Sequence, residues 1–183
     1  MKKLFALVLA LCLLCSLAMA ETETETTVAT ISWSDYEDKA VEIGGKLQGF
    51  SEFGIDYMMF VPDGFDFVEV PADAAEAGVL AILSNGTLTF SVAKYSIEGM
   101  SRDDFLESLN QAKATEIEAG IVNGIECFSY ILTTADGIMT TNVAFPTDDA
   151  KEMITFTFAP SDNQDMQEVL QVVAASIQPI QAQ

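Results

Sequence analysis

The sequence predicts an α+β fold: an antiparallel sheet of about six to eight strands with helices packed on its faces. Three observations carry this. First, four strand-like runs follow one another between Thr115 and Pro160, divided by Asn123-Gly124, Ala135-Asp136-Gly137 and Pro146-Thr147-Asp148-Asp149. Asn-Gly and Asp-Gly supply the positive φ of tight hairpin turns, so the pairing is local and antiparallel, a four-strand meander. Second, the segments run helix, several strands, helix, four strands, helix, which is an α+β plan rather than strict alternation. Third, Ile125–Leu132 is apolar at both parities, as a central strand covered on both sides is.

The first 20 residues are set apart from the fold. Met1-Lys2-Lys3 is a short positive start, Leu4–Leu17 is apolar, and Ala18-Met19-Ala20 is a small-x-small cleavage signature before Glu21. That is a secretory signal peptide of bacterial type. Its apolar run falls short of the ~20 residues that a membrane-spanning helix needs. Glu21–Thr27 then alternates Glu and Thr, and 21–32 reads as a flexible acidic leader. A single α+β domain is expected over 33–183.

Along that domain, Ser34-Asp-Tyr-Glu37 has the form of a capping box, with Tyr36, Ala40 and Ile43 at helical spacing and Gly44-Gly45 as the stop. Trp33 is placed to dock this helix on the sheet. Leu47–Phe53 and Ile55–Val61 are strand-like, and Val61-Pro62-Asp63-Gly64 turns the chain into a returning strand, Phe65–Val70. Ala72–Gly78 is a loop or one helical turn. Val79–Leu83 and Thr87–Tyr95 form a hairpin about Asn85-Gly86, with Leu88, Phe90 and Val92 on one side. Ser101 caps a second helix whose first turn carries Asp103 and Asp104 and whose stripe is Phe105, Leu106, Leu109 and Ala112. After the meander, Ser161-Asp-Asn-Gln164 starts the last helix. Met166, Val169, Leu170, Val173 and Ile177 point inward, Pro179 is the stop, and Gln178–Gln183 frays.

Much chemistry is excluded. The chain holds no histidine, so Ser-His-Asp and Cys-His catalysis and His-ligated zinc are absent. No GxGxxG, P-loop or GxSxG occurs. Removal of the signal takes Cys12 and Cys15 and leaves Cys127 alone, so no intramolecular disulfide can form. Cys127, in a central strand, reads as a buried small hydrophobe. Six basic residues remain against 28 acidic ones, a net charge of −22 after cleavage. That field opposes nucleic acid and anionic membrane, and leaves cationic partners open.

Carboxylate pairs occur at Asp103-Asp104 and Asp148-Asp149, explained by the helix dipole and by turn formation, so no catalytic residue is assigned. Asp162, Asn163 and Asp165 are candidate calcium ligands, hard oxygen donors in a short loop. Their spacing is not that of an EF-hand, and a helix cap explains them as well. No cofactor is called for.

Phe60-Val61-Pro62-Asp63-Gly64-Phe65, the helix Ser101–Ala112, the turns Asn123-Gly124 and Asp136-Gly137, and Ser176-Ile177 together resemble the PsbP-like α/β-sandwich superfamily, with its Mog-, DcrB- and LpqN-type members. The resemblance spans roughly residues 50–178 and is one of fold, with no site motif to carry over. It implies a non-enzymatic binding or accessory protein, secreted or attached to the bacterial cell envelope. The expected partner is an envelope or extracellular protein, or a small apolar ligand. Two further readings stay open: a carboxylate-dependent hydrolase, which requires two facing carboxyls in a cleft, and a carrier of a small apolar ligand, which requires an enclosed pocket of ~300 Å³ or more.

Overall fold

The computed structural model describes residues 28–147 and 149–180. The expected signal peptide, and residues 21–27 of the leader, lie outside them. In chain order the elements are β1 (Ala29–Ile31), α1 (Glu37–Ile43), β2 (Gly45–Gly49), β3 (Tyr57–Pro62), β4 (Asp66–Val68), α2 (Ala72–Glu76), β5 (Val79–Ser84), β6 (Thr89–Ser96), α3 (Arg102–Gln111), β7 (Thr115–Val122), β8 (Ile125–Thr133), β9 (Met139–Pro146), β10 (Glu152–Ala159), α4 (Gln167–Ala175) and β11 (Gln178–Pro179).

The meander from β7 to β10 forms as the turn residues predict. Val122 faces Ile125 across Asn123-Gly124, Tyr130 faces Asn142, and Val143 faces Phe156. These strands and the β5–β6 hairpin build an eight-stranded sheet in the order β1-β7-β8-β9-β10-β6-β5-β4. The expectation of one antiparallel sheet needs two corrections. Strand β1, inside the stretch that composition assigns to the leader, pairs parallel with β7 and makes the sheet mixed. Strands β2, β3 and β11 form a second, three-stranded sheet, which gives the sandwich that the resemblance implies.

The turn after β3 is therefore a corner between sheets and not a hairpin. Phe65 decides this by stacking on Phe90 of the large sheet, centroids 4.3 Å apart. Strand β2 is shorter than Leu47–Phe53, because Ser51–Phe53 closes into a 3₁₀ turn around the buried Phe50 and Ile55.

Two cores result from the two faces of the large sheet. On one face Phe90, Val92, Phe145, Phe156 and Phe158 pack against β3, α1 and α4, with Met59, Phe60, Leu170, Val172 and Val173 opposite. On the other, Tyr130, Ala144 and Met153 lie under Phe105 and Leu109 of α3. Helices thus cover both faces, and β8 contributes Cys127 to the first core and Tyr130 to the second, as its two-sided apolar pattern predicts.

Helix ends differ from expectation twice. Trp33–Asp35 is a 3₁₀ turn and α1 starts at Glu37 without a side-chain cap; the Ser34 hydroxyl bonds Ser32 instead. The reason is tertiary: the Trp33 ring packs 6.0 Å from that of Phe60, and the Trp33 N–H donates to Asn123 Oδ1, which fixes the chain before the helix begins. At the other end, α4 stops at Ala175, four residues before Pro179, and Gln178-Pro179 pairs with β3 rather than fraying. Among the described residues, no helix is long and apolar enough to cross a membrane.

Candidate functional site, a cleft beside helix α4

Asp162 is exposed, and the Asn163 carbonyl accepts from Met166 N–H and Gln167 Nε2 as part of the helix start. The Asp165 side chain is not among the described groups. No cluster of three or more His, Cys, Asp or Glu is placed to hold a metal among the described residues.

The other paired carboxylates serve local structure. Asp104 accepts from the backbone N–H of Ser101 at 2.9 Å and from its hydroxyl at 2.6 Å, closing a capping box. These bonds hold its carboxyl below the usual range. Asp149 accepts from the Thr147 hydroxyl and the Lys151 N–H, with the same downward consequence.

What the structure does assemble is a cleft of about 140 Å³ between α4 and the β1–β7–β8–β9 end of the large sheet. Strand alternation creates its floor, since residues two apart share a face. Gly120, Cys127, Ser129 and Thr141 face the core side here and are small, whereas Phe145, Phe156 and Phe158 fill the same face further across. The wall is α4, through Leu170, Gln171 and Ala174.

Both ends of that helix are tied. At its N-terminal end Gln167 Nε2 donates to the Ser161 carbonyl at 2.7 Å. At its C-terminal end the Asn123 amide donates to the carbonyls of Ala175 and Ile177, at 2.9 and 2.8 Å.

Two side chains define the cleft's chemistry. Cys127 is 5% exposed, and burial pushes its thiol up to about 11 against a weaker opposing bond from Gly120. At neutral pH it is a small apolar surface, not a nucleophile. Ser161 also lines the cleft; it is 7% exposed, and its hydroxyl is buried without a hydrogen-bond partner. A buried polar group left unpaired costs about 1–3 kcal/mol. Sequence reasoning placed Ser161 as the helix start, but α4 has Met166 at its N-cap and no side-chain cap. No sequence signal distinguishes a capping serine from an orphaned one. Among the described residues, neither Lys nor Arg lines the cleft, and Glu118 is the one acidic lining residue.

The fold has known counterparts. The solution structure of cyanobacterial PsbP (CyanoP) from Synechocystis sp. PCC 6803 matches with a TM-score of 0.54 at 15% identity, over 75% of this chain and 93% of that one. The Ran-binding protein Mog1p of Saccharomyces cerevisiae aligns over 75% of this chain and 96% of its own at 11% identity, with a TM-score of 0.44. A Pseudomonas aeruginosa protein of unknown function, described as a putative regulator, aligns over 76% and 99% at 14% identity, with a TM-score of 0.41. The chain has the PsbP-like sandwich fold. No protein-family model and no curated protein matches it.

Proposed function

We propose that this protein is a non-enzymatic binding or accessory module of the bacterial cell exterior, released from its signal after Ala20, and that the cleft beside α4 is its working site. The observation that carries the reading is the buried, unpartnered Ser161 hydroxyl at a cleft whose surface is mainly apolar. Binding pockets share that design, an apolar lining with a few polar groups that fix orientation. The cleft is smaller than the enclosed pocket of ~300 Å³ or more that the reading as a carrier of a small apolar ligand requires, so its occupant is one small molecule or one side chain of a partner. Among the described residues the shifted carboxyls, Asp104 and Asp149, both move downward through local cap and turn bonds, the opposite of the raised carboxyl that the hydrolase alternative requires.

Expression of the full chain in a bacterial host tests the location. The expected product begins at Glu21 and is recovered outside the cytoplasm; an unprocessed cytoplasmic chain overturns it. Affinity capture from the exported fraction, with Ala174→Leu as the cleft-filled control, tests the binding role. Loss of the captured species in the variant is expected. Equal capture by both proteins moves the working site away from the cleft.

A further inference from the structure

We infer that the cleft takes a neutral molecule of about one ring in size that carries a single hydroxyl or carbonyl oxygen, with the Ser161 hydroxyl as its hydrogen-bond partner; this rests on the cleft being the working site. Three features select this occupant. The first is size: the volume is about 140 Å³, and an apolar protein cavity of ~150 Å³ accommodates benzene.

The second is charge. An anionic ligand would meet no Lys or Arg among the described lining residues and would approach Glu118, on a chain of net charge −20. Transfer of an unpaired carboxylate into an apolar site is strongly unfavourable. The third is the polar demand of the site. Gln167 spends its Nε2 on the Ser161 and Asn163 carbonyls, so it is committed to holding α4. The Ser161 hydroxyl is uncommitted, and it can donate to a ligand oxygen or accept from a ligand O–H. One polar atom in the ligand therefore satisfies the Ser161 hydroxyl.

Phenol, benzene and benzoate separate these claims. They are titrated into the full chain while the backbone amides of Gly120, Ser129 and Ala174 are followed by NMR. Phenol is expected to shift these signals saturably and to bind about fivefold to tenfold more tightly than benzene, the worth of one hydrogen bond. Benzoate is expected to leave them unmoved. In Ser161→Ala the preference for phenol over benzene disappears while benzene binding persists, which a merely structural role of Ser161 does not produce.

Ala174→Leu abolishes binding of both. Should that variant fail to fold, Gly120→Ala narrows the floor instead, since a Cβ there meets only Ala29 O at 3.5 Å and Cys127 Sγ at 3.6 Å, ordinary contacts. Benzoate binding as tightly as phenol, an unchanged preference in Ser161→Ala, or shifts that survive both cleft-narrowing variants would each overturn the inference. If no probe moves the cleft signals while export and capture proceed as proposed, the small occupant is wrong and the binding role stands. The reverse pattern leaves the occupant and removes the exported partner.

Discussion

At the scale of single residues, Cys127 and Asn123 show how surroundings set chemistry. The Cys127 thiol ionises at about 11 in the folded protein against 9.0 for a free thiol, because burial disfavours the thiolate. Burial raises Tyr130 in the same direction. Between these values the unfolded chain releases a proton that the folded chain keeps. The stabilisation is thus whole below pH 9 and is lost as pH rises through about 11, at up to about 1.4 kcal/mol per pH unit for one group. Urea unfolding at pH 8, 9 and 10 is expected to show this decline, and Cys127→Ala to flatten it. Under native conditions the thiol should resist alkylating reagents and react fully once unfolded.

Asn123 is the second case. Its backbone takes a positive φ of 51° in the β7–β8 turn, while its side chain accepts from Trp33 N–H and donates to two carbonyls at the end of α4 and just beyond it. Asn123→Asp keeps the turn preference and the acceptor but loses both donors. A loss of about 2–4 kcal/mol in chemical denaturation is expected, from two bonds broken and two carbonyls left facing a carboxylate. A loss below about 0.5 kcal/mol, less than one ordinary hydrogen bond, would show that the clip is dispensable.

Among the elements, α3 is the most self-contained. Its capping box is made within four residues, with Asp104 N–H donating to the Ser101 hydroxyl at 3.1 Å in return. Ser101→Ala is expected to cost about 1 kcal/mol in thermal or urea unfolding. Asp104 adds a pH dependence of known sign. Its folded-state pKa is depressed, so its contribution is present above the ordinary carboxylate range and is lost as pH falls through the folded value. Acid unfolding of Ser101→Ala should therefore be less steep below pH ~4 than that of the wild type. Helix α4 is the opposite kind of element. It lacks a side-chain cap at its start, and its two ends are fixed by Gln167 and by Asn123, the latter more than 50 positions away in sequence from the carbonyls it holds.

For the whole molecule, charge governs the energetics outside the core. The chain carries 28 acidic and 8 basic residues. The ion pairs seen, Lys39–Glu168, Lys94–Glu152 and Lys151–Asp149, are largely exposed and contribute little each. Self-repulsion therefore acts against the compact state, and salt shortens its range. Melting temperature is expected to rise between about 10 mM and about 0.5 M sodium chloride, a span over which the screening length falls from ~30 Å to a few ångströms. A fall or no change would mean that local ion pairs outweigh the net field.

The α+β class, the β7–β10 meander with its turns, the α3 cap, the two-sided burial of β8 and the fully buried row of Leu88, Phe90 and Val92 were legible in the amino-acid order. Each depends on interactions a few residues long or on strand and helix periodicity, and those are written in neighbouring letters. Long-range packing settles the rest: β3 belongs to a second sheet, β1 runs parallel to β7, Ser34 caps no helix, and Ser161 is left unpaired beside a cleft. These depend on what arrives from distant parts of the chain: Phe90 under Phe65, Asn123 at Trp33 and at the end of α4. Local propensity at Ser161 and at the Asn123 turn is compatible with several outcomes. The choice was made by packing and by the need to satisfy buried backbone groups, which no window of sequence contains.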